Sequence, residues 1–160
     1  MLKWFTVVLL IASALNLALM VPGGFVETRI FTQYPVWIIA CFNAFLSILG
    51  FGSLILAFRV WRSGRVGALS VVCGISFAAV YVLDLLELFP ISENPMSPLL
   101  FSLEWLGTLL GLSLAIVAWY ARLQSQSVSG ESMQLSSAMR VGLAVVIVGI
   151  VLFSTLSAIG

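Results

Sequence analysis

The stretch Val66–Ala121, VGALSVVCGISFAAVYVLDLLELFPISENPMSPLLFSLEWLGTLLGLSLAIVAWYA, decides the fold. Two apolar runs, Val66–Phe89 and Leu99–Ala121, flank a short segment that contains Pro90, Pro95 and Pro98. Each run reaches the roughly 20 apolar residues that carry a helix across about 30 Å of hydrocarbon. Ser97-Pro98 reads as an N-cap followed by proline at the first helical position. The segment is therefore a transmembrane hairpin, two antiparallel helices closed by a proline-rich loop.

The same length rule applied outward adds Trp4–Val21, Val36–Phe58 and Val141–Ile159, which makes five spans in one all-α membrane domain over 1–160. Pro22-Gly23-Gly24 stops the first span, because proline lacks a donor and glycine readily takes positive φ. Arg62-Ser63-Gly64-Arg65 leaves room only for a tight turn, which makes spans two and three antiparallel neighbours. The first run, preceded by Lys3, has the alternative reading of a secretory signal, but it is long for one and lacks a small-x-small cleavage site before Pro22. Leu123–Ser137, rich in Gln and Ser, is a polar linker to the fifth span.

Composition agrees. The chain is 62% hydrophobic and 8% charged, with a mean hydropathy of +1.20, too little polar surface to coat a soluble globule. Seven Lys+Arg against six Asp+Glu give no basic excess for a nucleic-acid partner. The absence of His removes the commonest metal ligand and general base, and two Cys do not make a zinc site. No C-x-x-C, phosphate loop or G-x-S-x-G occurs, so no cofactor is expected. Cys41 and Cys73 sit at depths about 10 Å apart along the membrane normal, too far for a disulfide, and read as buried small hydrophobes.

Basic residues set the orientation, since short cytoplasmic loops are rich in Lys and Arg. With the N-terminus inside, Lys3, Arg59, Arg62, Arg65, Arg122 and Arg140 are cytoplasmic and only Arg29 is outside. The C-terminus then lies outside, along with Glu27, Asp84, Glu87, Glu93 and Glu104. Aromatic residues mark both interfaces: Trp4, Trp61, Trp119 and Tyr120 at the inner edge, Tyr34, Trp37, Phe89 and Trp105 at the outer. The location expected from this layout is the cell (plasma or inner) membrane, with the lipid bilayer as first partner.

Polar side chains within the spans fall in one layer. Asn16, Asn43, Asp84, Glu104 and Ser154 all lie five to seven residues below the outer ends of their spans, about 7 to 11 Å deep. Asp84 and Glu104 sit at matched depth on one hairpin, Glu87 follows Asp84 by three residues and so shares its helix face, and Arg29 lies in the loop above. A carboxylate in hydrocarbon needs a partner. Two readings stand: a hydrogen-bonded clamp closed by Arg29, or an outward-open pocket for a cation, an amine or a lipid headgroup.

Two further sets have their own reading. Gly107, Gly111 and Ala115 form a small-residue row that lets helix backbones approach, within the chain or in a homo-oligomer. Arg59, Arg62 and Arg65 are placed to attract anionic headgroups or only to set topology. The function expected first is non-enzymatic, either an accessory subunit of other membrane proteins or an outward-facing binding module. A small cation or proton transporter using Asp84 and Glu104 is the alternative, although the inner half carries no ionisable residue. A lipid-modifying enzyme comes last, since it would depend on a borrowed divalent ion.

Overall fold

The computed structural model describes residues 1–21, 25–31, 33–92 and 94–125. They form four helices, α1 (Leu2–Leu19), α2 (Val36–Ser63), α3 (Ala68–Leu85) and α4 (Pro98–Ser125), each long and apolar enough to cross a membrane. The fifth run, Val141–Ile159, the turn Pro22–Gly24 and most of the polar linker lie outside the described residues. Leu123, Gln124 and Ser125, read from sequence as the start of that linker, continue α4 instead.

Local chemistry fixes several helix ends. The Leu100 N–H donates to the Ser97 hydroxyl at 3.1 Å, which satisfies a free donor at the start of α4. At the end of α2, Gly64 takes φ 70° and its N–H closes on the Val60 carbonyl at 2.8 Å, a left-handed cap that suits glycine. α3 corrects the sequence reading, because it stops at Leu85 with Leu86 as its cap, four residues short of Phe89. Glu87 then turns to φ 53°, so it has left the helix and does not share a helical face with Asp84.

The exterior of the bundle is apolar, and its apolar core also holds hydroxyl groups. Val8, Leu15, Leu69, Ile75, Leu109 and Ile116 are exposed, whereas Thr6, Ser13, Ser53, Ser70 and Thr108 are buried. Several of the buried hydroxyls donate to their own helix: Thr6 to the Leu2 carbonyl at 3.0 Å, Ser53 to Leu49 at 2.7 Å and Thr108 to Glu104 at 2.9 Å. That bonding makes them cheap to place away from water. Cys41 is exposed on this apolar exterior rather than buried, and both cysteines are free thiols.

α3 and α4 make the most extensive contact, α1 packs on α2 and α4, and α2 meets α3 only sparsely despite the tight turn between them. Small residues explain the first of these. A Cβ added at Gly74 would lie 2.5 Å from the Ala115 nitrogen, and one at Gly111 would lie 2.6 Å from the Ala78 nitrogen. A Cβ at Gly107 would enter the Tyr81 ring at 2.4 Å. The Gly107, Gly111, Ala115 row therefore lies against Gly74, Ala78 and Tyr81 of α3, an intrachain contact in antiparallel register. Continued one turn toward the loop, that register carries Asp84 to Glu104.

Candidate functional site: a buried acidic cluster around Arg29

Four helix ends and two loops meet at the end of the bundle opposite Lys3, Arg59, Arg62 and Arg122. The connection between α1 and α2 folds down into the bundle, which leaves Glu27 at 5% and Arg29 at 6% exposure. Phe31 is buried against Ile39 with Tyr34 beside them, and it places its ring 5.4 Å from the Arg29 guanidinium. The α3–α4 loop is tied to this segment. The Ile91 N–H donates to the Tyr34 hydroxyl at 3.0 Å, Gln33 Nε2 donates to the Ile91 carbonyl, and Phe89 stacks edge-on with Tyr34 and Phe42.

Arg29 is the hub. Nη1 and Nη2 donate to Asp84 Oδ1 and Oδ2 at 2.9 and 2.7 Å, a bidentate pairing matched to the planar guanidinium. Nε and Nη2 reach Glu27 Oε1 and Oε2 at 3.0 and 2.6 Å, and the Arg29 backbone N–H also donates to Glu27 Oε1 at 2.9 Å. Burial alone would weaken the hold of Arg29 on its proton. The hydrogen bonds to Asp84 and Glu27 more than offset that, so the guanidinium keeps its charge well above its ordinary range.

Glu104 is different. It is fully buried at 0% exposure, its Oε1 is 3.8 Å from Arg29 Nη2, and neither of its oxygens receives a hydrogen bond. Asp84 and Glu104 line the same cavity. One guanidinium thus faces three carboxyl groups, Glu27, Asp84 and Glu104. Fully ionised, the cluster would hold two negative charges in excess inside an apolar bundle, a costly state.

Beside it, Asn16 Nδ2 donates to the Tyr81 hydroxyl and to the Leu103 carbonyl, each at 3.1 Å, while Asn16 Oδ1 is buried without a donor. Asn43 is buried and lines a cavity of about 50 Å³ together with Glu27, Arg29, Asp84 and Glu104. By the same kind of measure one water needs about 10–15 Å³, so the cavity has room for a small polar group or a few waters. Among the described residues, no three acidic or Cys side chains converge as metal ligands.

Of the residues singled out in the sequence, the structure brings Arg29, Asp84 and Glu104 into one cluster and sets Asn16 and Asn43 next to it. Glu87 is exposed beyond the helix end and stays apart. Arg59, Arg62 and Arg65 lie at the opposite end, where Lys3 Nζ comes within 3.6 Å of a Cβ built on Gly64. Glu27 and Tyr81 were missed by sequence reasoning. The signal for Glu27 was its spacing two residues before the only basic residue of that loop.

The model of a family described as a domain of unknown function (DUF8051) matches residues 2–134. The match covers all four described helices and ends before Val141. No curated protein and no solved structure matches the chain.

Proposed function

Because the chain belongs to the DUF8051 family, whose description leaves the role open, we propose from its geometry that it is a non-enzymatic, outward-facing binding module of the cell membrane for a small hydrogen-bond-donating cation. The observation that carries this reading is Glu104, a fully buried carboxyl whose two oxygens have no donor and which borders a small cavity. Asp84 and Glu27 are already engaged by Arg29. The unmet acceptors of Glu104 therefore call for N–H or O–H donors carrying positive charge. The proposal includes the orientation expected from the Lys and Arg distribution, with the N-terminus cytoplasmic, Val141–Ile159 as a fifth span and the C-terminus outside.

Two observations favour binding over the alternatives. Toward the basic end the core closes with Leu10, Phe77, Leu114 and Ala118, all fully buried, and among the described residues the buried polar groups there are Ser and Thr hydroxyls, with no charged side chain of the kind a transport path uses. Among the described residues, the cavity lining also offers no Ser, Thr, Cys or Lys to act as a nucleophile.

The test is thermal unfolding of the detergent-purified protein in methylammonium chloride and, at equal ionic strength, in tetramethylammonium chloride. The small donor cation should raise the midpoint by a few degrees, as expected when it binds the folded state alone. Tetramethylammonium, which has no N–H, should not. Glu104→Gln should remove the difference, and equal behaviour of the two salts in the wild type would sink the reading.

A further inference from the structure

The acidic cavity has a neighbour that opens toward lipid. Between α1 and α2 lies an apolar cleft of about 110 Å³, walled by Ala14, Ala18, Gly50, Phe51 and Leu54, with Ser47 among its few polar residues. It exists because the residues there are small: a Cβ added at Gly50 would meet only Leu17 Cδ2, at 3.5 Å. Leu17, Met20, Asn43 and Leu46 line both this cleft and the acidic cavity, so the two share one wall. Around the cleft, Leu15, Leu19, Ile48 and Leu54 are exposed, as lipid-facing side chains are in this bundle.

Access to the cluster is unequal on its two sides. From the loop side, Arg29 and Glu27 are buried and the loops are fastened by Gln33, Tyr34 and Phe89 onto each other. From the lipid side, the barrier is side chain only, and Met20 is an unbranched residue that adapts to a passing group. The wall of Leu17, Met20 and Leu46 is thus what separates the cleft from the cavity that holds Glu104.

We infer that the ligand is a single-chain amphiphile with a primary ammonium head, the head seated at Glu104 in the acidic cavity and the chain lying in the cleft between α1 and α2. The inference rests on the binding reading above and adds the substrate class and the route. The carboxyl excess selects a cation, and the two unmet acceptors of Glu104 select one with N–H donors. The cavity accommodates an –NH3⁺ head, and a quaternary ammonium is disfavoured because it has no N–H to give the unmet acceptors of Glu104. The chain has an apolar bed that continues from the head site to the bilayer.

The experiment uses the full chain in phosphatidylcholine nanodiscs with a photoreactive 12-carbon primary amine that carries a diazirine in its chain. Adducts are mapped by peptide mass spectrometry, with unlabelled dodecylamine, dodecanol and dodecyltrimethylammonium as competitors. Dodecylamine should compete about tenfold or more better than either of the others, the size of one charge-assisted hydrogen bond. Adducts should fall on the cleft-lining parts of α1 and α2. Glu104→Gln should bring amine competition down to that of the alcohol. Gly50→Phe, which fills the cleft and leaves the carboxyl groups untouched, should abolish labelling while the methylammonium response persists.

Equal competition by amine and alcohol, adducts spread over other faces, or labelling unchanged by Gly50→Phe would overturn the inference. If the methylammonium response survives any of these results, a soluble cation is the ligand and only the amphiphile falls. If that response is missing as well, both readings fall. The competitor series and Gly50→Phe keep the test decisive should Glu104→Gln fail to fold.

Discussion

At the scale of the residue, Arg29 has the most to lose. Its guanidinium satisfies two carboxylates at once and is itself 6% exposed. Removing one partner of a buried ionic group leaves uncompensated charge, at a cost of about 3–5 kcal/mol. Arg29→Ala should therefore lower unfolding stability in detergent by about that amount. Arg29→Lys should cost less, because it keeps the charge and loses only the two-pronged geometry toward Asp84. Pairing Arg29→Ala with Asp84→Asn should be milder than the sum of the two single changes, since each removes what the other leaves stranded. Chemical denaturation of the four proteins checks this, and strict additivity would show that the ion pair carries no coupling. The polar residues of this cluster were legible as residues, because a lone cation and carboxyls in apolar runs stand out. The participation of Glu27 and Tyr81 was not. A loop carries no period from which a fold-back can be read, and a tyrosine in an apolar helix resembles any other aromatic.

At the scale of the element, glycine sets the α3–α4 distance and with it the register that carries Asp84 to Glu104. Gly111→Ala would push a methyl to 2.6 Å from the Ala78 nitrogen, and overpacking of that kind costs about 1–3 kcal/mol. The control is Gly52→Ala on α2, where a Cβ meets nothing within 4 Å. There the better helix propensity of alanine should leave stability unchanged or raise it by up to about 1 kcal/mol. Thermal midpoints of the two variants should thus move in opposite directions or differ plainly, and equal losses would mean that close backbone approach is not what joins α3 to α4. The four described spans were readable from length and apolarity alone. The end of α3 was not, because Leu85, Leu86 and Leu88 continue the apolar run and carry no stop signal. The turn at Gly64 was equally plain, yet adjacency in sequence did not make α2 and α3 close partners. The small residues that permit close packing face α4 instead.

At the scale of the whole molecule, charge is segregated by end. Among the described residues, Lys3, Arg59, Arg62, Arg65 and Arg122 stand at one end, and Glu27, Asp84 and Glu104 gather with Arg29 at the other, with Glu87 exposed beyond them. Basic loops are retained in the cytoplasm. In a variant lacking Cys41 and Cys73, a cysteine placed at Ser63 should therefore react with an impermeant thiol reagent only after the inner face is opened. One placed at Asn94 should react in intact cells. Both positions are exposed and neither needs a left-handed backbone. The reverse pattern would invert the molecule and turn the acidic cluster toward the cytoplasm.

The cluster draws its members from both halves of the chain, with Glu27 and Arg29 before α2 and Asp84 and Glu104 after it. Synthesis runs from the N-terminus, so the first hairpin enters the bilayer while the carboxyls of the second do not yet exist. During that interval Arg29 has only Glu27 of its cluster partners to neutralise it. Burial of the loop has to wait for α3 and α4 to arrive. The ion pairs of Arg29 with Asp84 and Glu104 therefore form only once both halves of the chain are present.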